Sequence, residues 1–286
     1  MESVTVSIWV ILSVIVLIHA SLCDIRSREV PDWHWAVLGG SGAILCAVSS
    51  AGSQGTEVVA FVFAGAVMLL TYMLTDLPKT VQATLVVASS ALYIAPCALC
   101  PGDEYALGGL ASIVVFFLVY GMYEIGLLRG GADAKCLMAL ALSFPVYPDT
   151  SWIPVLWHIG FPESLVFSVP VSVLVVGLVL SLLSVFPVLA MNIRRGDAGR
   201  RMLTTYVMPV SEARASHVWP VEHLVDGRLV PCRPCEDRLE ALGQMEGAGI
   251  KHVRVTPMIP FILPLAVAFI IVVSLGSPLA LLIGAR

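Results

Sequence analysis

Residues 4–22 read VTVSIWVILSVIVLIHASL, a run without a single Asp, Glu, Lys or Arg. A helix rises 1.5 Å per residue, so the run is about as long as the roughly 30 Å hydrocarbon core of a bilayer. Similar apolar segments follow at 35–52, 56–75, 81–100, 107–128, 134–147, 164–190 and 258–282. The sixth is short and needs its neighbours or its flanks to span. Hydrophobic residues make up 58% of the 286, and charged residues 13%. Soluble domains carry about 25% charge, so composition points the same way. Spanning segments must be helical here, because open sheet edges leave backbone groups unpaired in hydrocarbon. The expected fold class is therefore an all-α polytopic membrane protein of about eight transmembrane helices, with a cytoplasmic insert before the last helix. On this reading residues 1–190 hold helices one to seven. Residues 191–256 form the polar insert, and 257–286 hold the last helix. The first run follows Met1-Glu2 with no basic n-region, which reads as a retained helix rather than a cleaved signal.

Alternating the segments across the membrane sends every Lys and Arg except Arg286 to one face. Short loops carry the most weight in such a comparison, and Arg26, Arg28, Lys79 and Arg129 all agree. That face is expected to be cytoplasmic in a cell membrane, with both termini outside. The formal charge of −4 and the localised basic residues give no reason to expect a nucleic-acid partner. An odd seven cysteines, scattered through apolar segments, describe no disulfide framework.

Acidic residues at the ends of spanning segments are costly and call for individual explanation. Asp24 lies in Cys23-Asp24-Ile25-Arg26-Ser27-Arg28, where segment one meets the cytoplasm. Asp133 lies in Arg129-Gly130-Gly131-Ala132-Asp133-Ala134-Lys135, before segment six. The charge-derived topology puts both at one depth. Two adjacent carboxylates cannot both ionise easily, so such a pair shares a proton and can activate water as base and acid. Gly130 and Gly131 would free the backbone there and let a substrate strand come close. The structural alternative is a pair of unrelated helix-end carboxylates beside Arg and Lys.

These two segments resemble the active-site motifs of the type IV prepilin peptidase family, especially its archaeal preflagellin and prepilin branch. The first resembles the family's aspartate at the end of helix one, followed by a polar stretch and here Val30-Pro31-Asp32. The second resembles its Gly-x-Gly-Asp-x-Lys signature, with Ala132 standing where the last glycine is expected. The Thr256-Pro257-Met258-Ile259-Pro260 approach to the last helix also looks archaeal. The likeness covers the first two helices, roughly 107–190, and the last helix. It implies an aspartic endopeptidase with Asp24 and Asp133 catalytic, supported by Gly130, Gly131, Ala132 and Lys135. The implied partner is a pilin-like or archaellin-like precursor with a short basic leader, cut at the cytoplasmic face. No cofactor is expected, since no Gly-rich loop for a methyl donor is apparent.

Other features carry weaker readings. Cys232 and Cys235, with His217, His223 and His252 in the same insert, have zinc-ligand spacing, although a metal-free insert is preferred. Cys97 and Cys100 read as helix packing. Glu124 reads as a partner of Arg129, and Asp76, with Lys79 in reach, is the decoy for the pair. The Arg194, Arg195, Arg200 and Arg201 cluster suits anionic lipid headgroups. Gly39, Gly40 and Gly42 should let helix two pack closely on a neighbour. Two rival functions stand beside the peptidase: a protease resembling presenilin or signal peptide peptidase, and a proton-coupled small-solute transporter. Cys23 stands before Asp24 where the first rival has tyrosine, and no internal repeat favours the second.

Overall fold

A computed structural model of the chain describes residues 2–50, 55–128, 130–148, 161–183, 185–195, 203–225, 227–231 and 237–283. The helices are α1 (Glu2–Ser27), α2 (Trp33–Ser50), α3 (Thr56–Leu74), α4 (Lys79–Leu99), α5 (Glu104–Glu124) and α6 (Gly131–Ser143). They continue with α7 (Glu163–Val166), α8 (Val169–Leu182), α9 (Val185–Arg195), α10 (Val210–Ala215), α11 (Arg238–Gly247) and α12 (Ile262–Leu275). Two compact units result. The first is Met1–Leu178 with Pro260–Arg286, and the second is Val179–Ile259.

By length and composition, five stretches can cross a membrane: Val4–Ser27, Glu57–Leu74, Lys79–Leu99, Glu104–Glu124 and Val169–Arg194. Two shorter apolar helices, Trp33–Val48 and Ile262–Leu275, accompany them. The outward face of α1 carries Val4, Ile8, Ile11, Ile15, Ile18 and Leu22, all exposed. An apolar stripe of that length suits lipid and not water.

Helix α6 is the axis of the first unit. Every residue from Cys136 to Ser143 is buried, among neighbours α2, α3, α5 and α12. Its 13 residues cover only about 20 Å. Two devices fix it. The Ser143 hydroxyl lies 2.8 Å from the carbonyls of both Leu38 and Ala139 and can donate to either, tying α6 to α2. Phe144, which caps the helix, stacks on Trp9 of α1 with centroids 4.3 Å apart and meets Phe269 of α12 at 5.2 Å. Glycine makes the first tie possible. A Cβ on Gly42 would overlap the Ser143 side chain and come within 2.9 Å of its Cα. Gly39 meets Leu70 of α3 in the same manner.

The second unit adds strands that the helical expectation did not assign to the insert. They are β1 (Tyr206–Pro209), β2 (Val218–Pro220), β3 (Glu222–Val225), β4 (Arg228–Pro231) and β5 (His252–Pro257). An antiparallel sheet runs in the order β1-β5-β2, and β3 and β4 pair as a hairpin around Gly227, whose φ is +77°. Strand β5 alternates, with Val253 and Val255 buried and His252 exposed. This period of two puts both valines on the core face. There they join Met208, Val210, Ala213, Val218, Leu242 and Met245.

The packing of α2 on α6 generates a test. Gly42→Val must push the Ser143 backbone away, and overpacking of this kind costs about 1–3 kcal/mol. A lowered melting temperature of the detergent-solubilised protein is expected, whereas Gly121→Ala, at a helical site open to a Cβ, should not lower it.

Candidate active site

Helix α1 ends because Arg28 turns into the left-handed region, at φ +60°, while its N–H still donates to the Asp24 carbonyl at 3.1 Å. A non-glycine residue pays strain for this conformation, on the order of 1–3 kcal/mol. The turn folds the Arg28 guanidinium back towards Asp24, with Nη1 3.9 Å from Oδ1. From the other side, the Ile262 N–H at the start of α12 donates to Asp24 Oδ2 over a long 3.4 Å. The first turn of a helix has N–H groups without intrahelical partners and carries partial positive charge, so both neighbours favour a carboxylate. They act against burial of the side chain, which is the larger effect and disfavours the charge. The Asp24 side chain is 14% exposed.

Asp133 stands in the first turn of α6, ahead of the apolar run that begins at Ala134. It is largely removed from solvent. Burial pushes its carboxyl up to about 7, and the charge of nearby Asp24 adds to the effect. The two aspartates therefore act on each other electrostatically, across the ends of α1 and α6.

Of the glycines before Asp133, Gly130 serves space and not unusual backbone. Gly130 has φ −84°, and a Cβ there would overlap the Asp133 carboxylate. Gly131 faces the Tyr123 ring at ordinary contact distance. Among the described non-glycine residues only Arg28 has positive φ, so Ala132 sits in regular helical backbone and needs no glycine.

A second link joins the two segments. Lys135 Nζ donates to both oxygens of Asp32, each at 2.7 Å. Both side chains are partly exposed, and such pairs contribute little stability. The value of this one is positional, since it ties the α1–α2 turn to the first turns of α6. Beside it opens a cavity of about 220 Å³ lined by Asp32, Tyr72, Asp76, Tyr120, Tyr123 and Lys135. Asp76 belongs to that cavity and, among the described residues, makes no ion pair with Lys79. A shallow recess that shares Asp32 is lined by Arg28, Glu29, Val30, Pro31 and Ala132 as well. The buried Nε and Nη1 of Arg28 find no hydrogen-bond partner among the described residues.

The remaining candidates separate from this centre. Asp103 accepts from the Ala106 N–H at 2.8 Å and caps α5. Cys97 donates to the Ala106 carbonyl at 3.4 Å, a packing contact. Glu124 ends α5 and is exposed; its expected partner Arg129 lies outside the described residues, as do Cys232, Cys235, Arg200 and Arg201. What residue patterns alone did not reveal is a cluster of His19, Cys23 and His34 beside Asp24. The His19-x-x-x-Cys23 spacing on one helix face was the available signal.

No protein-family model, curated protein or solved structure matches the chain.

The raised Asp133 carboxyl has a thermodynamic consequence. A group holding its proton more tightly in the folded state stabilises the fold at low pH. It loses that contribution as pH rises from the ordinary carboxylate range, about 4, through 7. Asp133→Asn should therefore melt above the wild type at pH 8, with the difference shrinking towards pH 5. Parallel melting curves across this range would refute the assignment.

Proposed function

We propose that this chain is a membrane-embedded aspartic endopeptidase acting on pilin-like or archaellin-like precursors at the cytoplasmic face of the cell membrane. The observation that carries the reading is the joining of two segments far apart in sequence by the Lys135–Asp32 ion pair at 2.7 Å, with the charge of Asp24 acting on Asp133 at the start of α6. In the proposed arrangement about eight helices span, both termini lie outside, and the unit containing 191–256 is cytoplasmic.

The proposed chemistry follows from the two environments. Asp24, between the Arg28 guanidinium and the start of α12, serves as the base. Asp133, proton-retaining near neutrality, serves as the acid. Asp24 takes a proton from water, and the water oxygen attacks the scissile carbonyl while Asp133 donates its proton to the carbonyl oxygen. Collapse of the tetrahedral gem-diol breaks the C–N bond: the proton held by Asp24 passes to the leaving amine while one diol hydroxyl returns its proton to Asp133, giving the carboxylic acid and restoring the pair. Since the titrations belong to the pair, activity should follow a bell-shaped pH profile. Arg28, whose Nε finds no hydrogen-bond partner among the described residues and whose Nη1 pairs with Asp24 only at 3.9 Å, would steady negative charge developing at the carbonyl oxygen. The Lys135–Asp32 pair would keep the two segments in register while a precursor strand enters.

The deciding assay is cleavage of precursor by purified protein in detergent or membranes. Asp24→Asn and Asp133→Asn keep side-chain shape, so each should fold yet lose about 10²–10⁴-fold in rate. Ala132→Gly should cleave like the wild type. A fully active Asn variant would discard the pair and turn attention to Asp76. A wild type inert on several precursors, but active in proton-coupled uptake by vesicles, would favour the transporter.

A further inference from the structure

One turn from Asp24, three side chains with metal-binding atoms converge. His19 and Cys23 are four residues apart on α1 and so share a face, and His34 reaches them from the first turn of α2. One ligand atom from each lies within 4.8 Å of the other two. His19 Nδ1 is 2.7 Å from His34 Nε2 and 3.9 Å from Cys23 Sγ.

The orientation of His34 is fixed. Its Nδ1–H donates to the Pro31 carbonyl at 2.8 Å, and because a carbonyl only accepts, the free lone pair is on Nε2. That lone pair faces His19 and not solvent, for His34 is fully buried. Trp33 stacks on its ring with centroids 3.8 Å apart and holds its plane. A ring nitrogen aimed inward while the other donates to a backbone carbonyl is the arrangement that orients metal-binding histidines. A bare hydrogen bond between the imidazoles accounts for the pair, but it does not account for the thiol on the third side.

We infer that His19, Cys23 and His34 form a site for a divalent ion of the zinc class, clasping the end of α1 to the start of α2. Two imidazoles and a thiolate select zinc or cobalt over magnesium or calcium. Bonds of about 2.0–2.1 Å to nitrogen in a tetrahedron require the two nitrogens to stand about 3.3 Å apart. The 2.7 Å pair must therefore open by a few tenths of an ångström, and exposed His19 has room to swing. Binding displaces the Cys23 thiol proton to solvent and moves the His19 proton from Nδ1 to Nε2. Three protein ligands leave the fourth position to water. The clasp spans the turn carrying Arg28 and Asp32, so it would brace the geometry around Asp24. The inference stands on these three residues whether or not the chain is a peptidase.

Titration of the purified full chain with Co²⁺ alone tests it, in a Cys232→Ser, Cys235→Ser background so that those two insert cysteines contribute nothing. One Co²⁺ per chain is expected, with a near-ultraviolet thiolate-to-cobalt band. Cys23→Ser should remove the band and weaken binding by more than about tenfold, since even outer partners of metal ligands matter by 10- to 100-fold. His19→Gln changes an exposed side chain, spares the buried packing, and should weaken binding comparably. An unchanged band in Cys23→Ser, unchanged affinity in His19→Gln, or no cobalt bound by the parent would each overturn the site.

Discussion

Two carboxylates within reach of each other's charge repel, and the repulsion grows as water is withdrawn. A chain that sets Asp24 where its charge acts on Asp133 must restrain both helices against that force, and much of the first unit can be understood from this demand. The restraint on α6 is applied at its far end. Ser143 locks onto α2, and Phe144 is gripped between Trp9 and Phe269. Near the aspartates the structure is held more lightly, by the Lys135–Asp32 pair and a single long hydrogen bond from α12. Rigid packing at one end and polar contacts at the other keep the carboxyl end of the bundle from drifting.

Arg28 shows how local backbone serves the same demand. Glycine would terminate α1 at lower cost, since it accepts positive φ freely. Arginine accepts the strain and returns a cation to the carboxylate four residues earlier. Gly130 answers the matching problem on α6, because only the absence of a Cβ leaves room for the Asp133 carboxylate to fold back over the helix start.

Much of this was legible in the residues. Long apolar runs announced the helices, and the acidic residues at their ends, Asp24 and Asp133, drew attention to the segments that the Lys135–Asp32 pair joins. Boundaries were harder where apolar character outlasts the helix. Ile125, Leu127 and Leu128 look spanning, yet Gly126 at φ +72° ends α5 before them. Gly276 at φ +86° stops α12 at Leu275 in the same manner. The strands of the insert are three to six residues long, and their pairing partners lie tens of residues away, so local pattern could not fix them. The backbone freedom expected of Gly130 is not used, since its φ is −84°; it serves by steric room, which leaves no mark in the residues distinct from conformational freedom. His34 escaped notice because its meeting with His19 depends on the Arg28 turn, which spacing along the chain does not encode.

The shortness of α6 bears on how the protein is made. A 13-residue helix is too short to hold itself across a bilayer and cannot be expected to settle there as it leaves the ribosome. Its anchoring partners, Leu38 and Asp32, lie more than a hundred residues earlier and must already be in position. Docking of α6 is then a late step of biogenesis, and Asp133 travels with it. Asp133 would thus reach its place only when the surrounding helices have formed a socket to receive it.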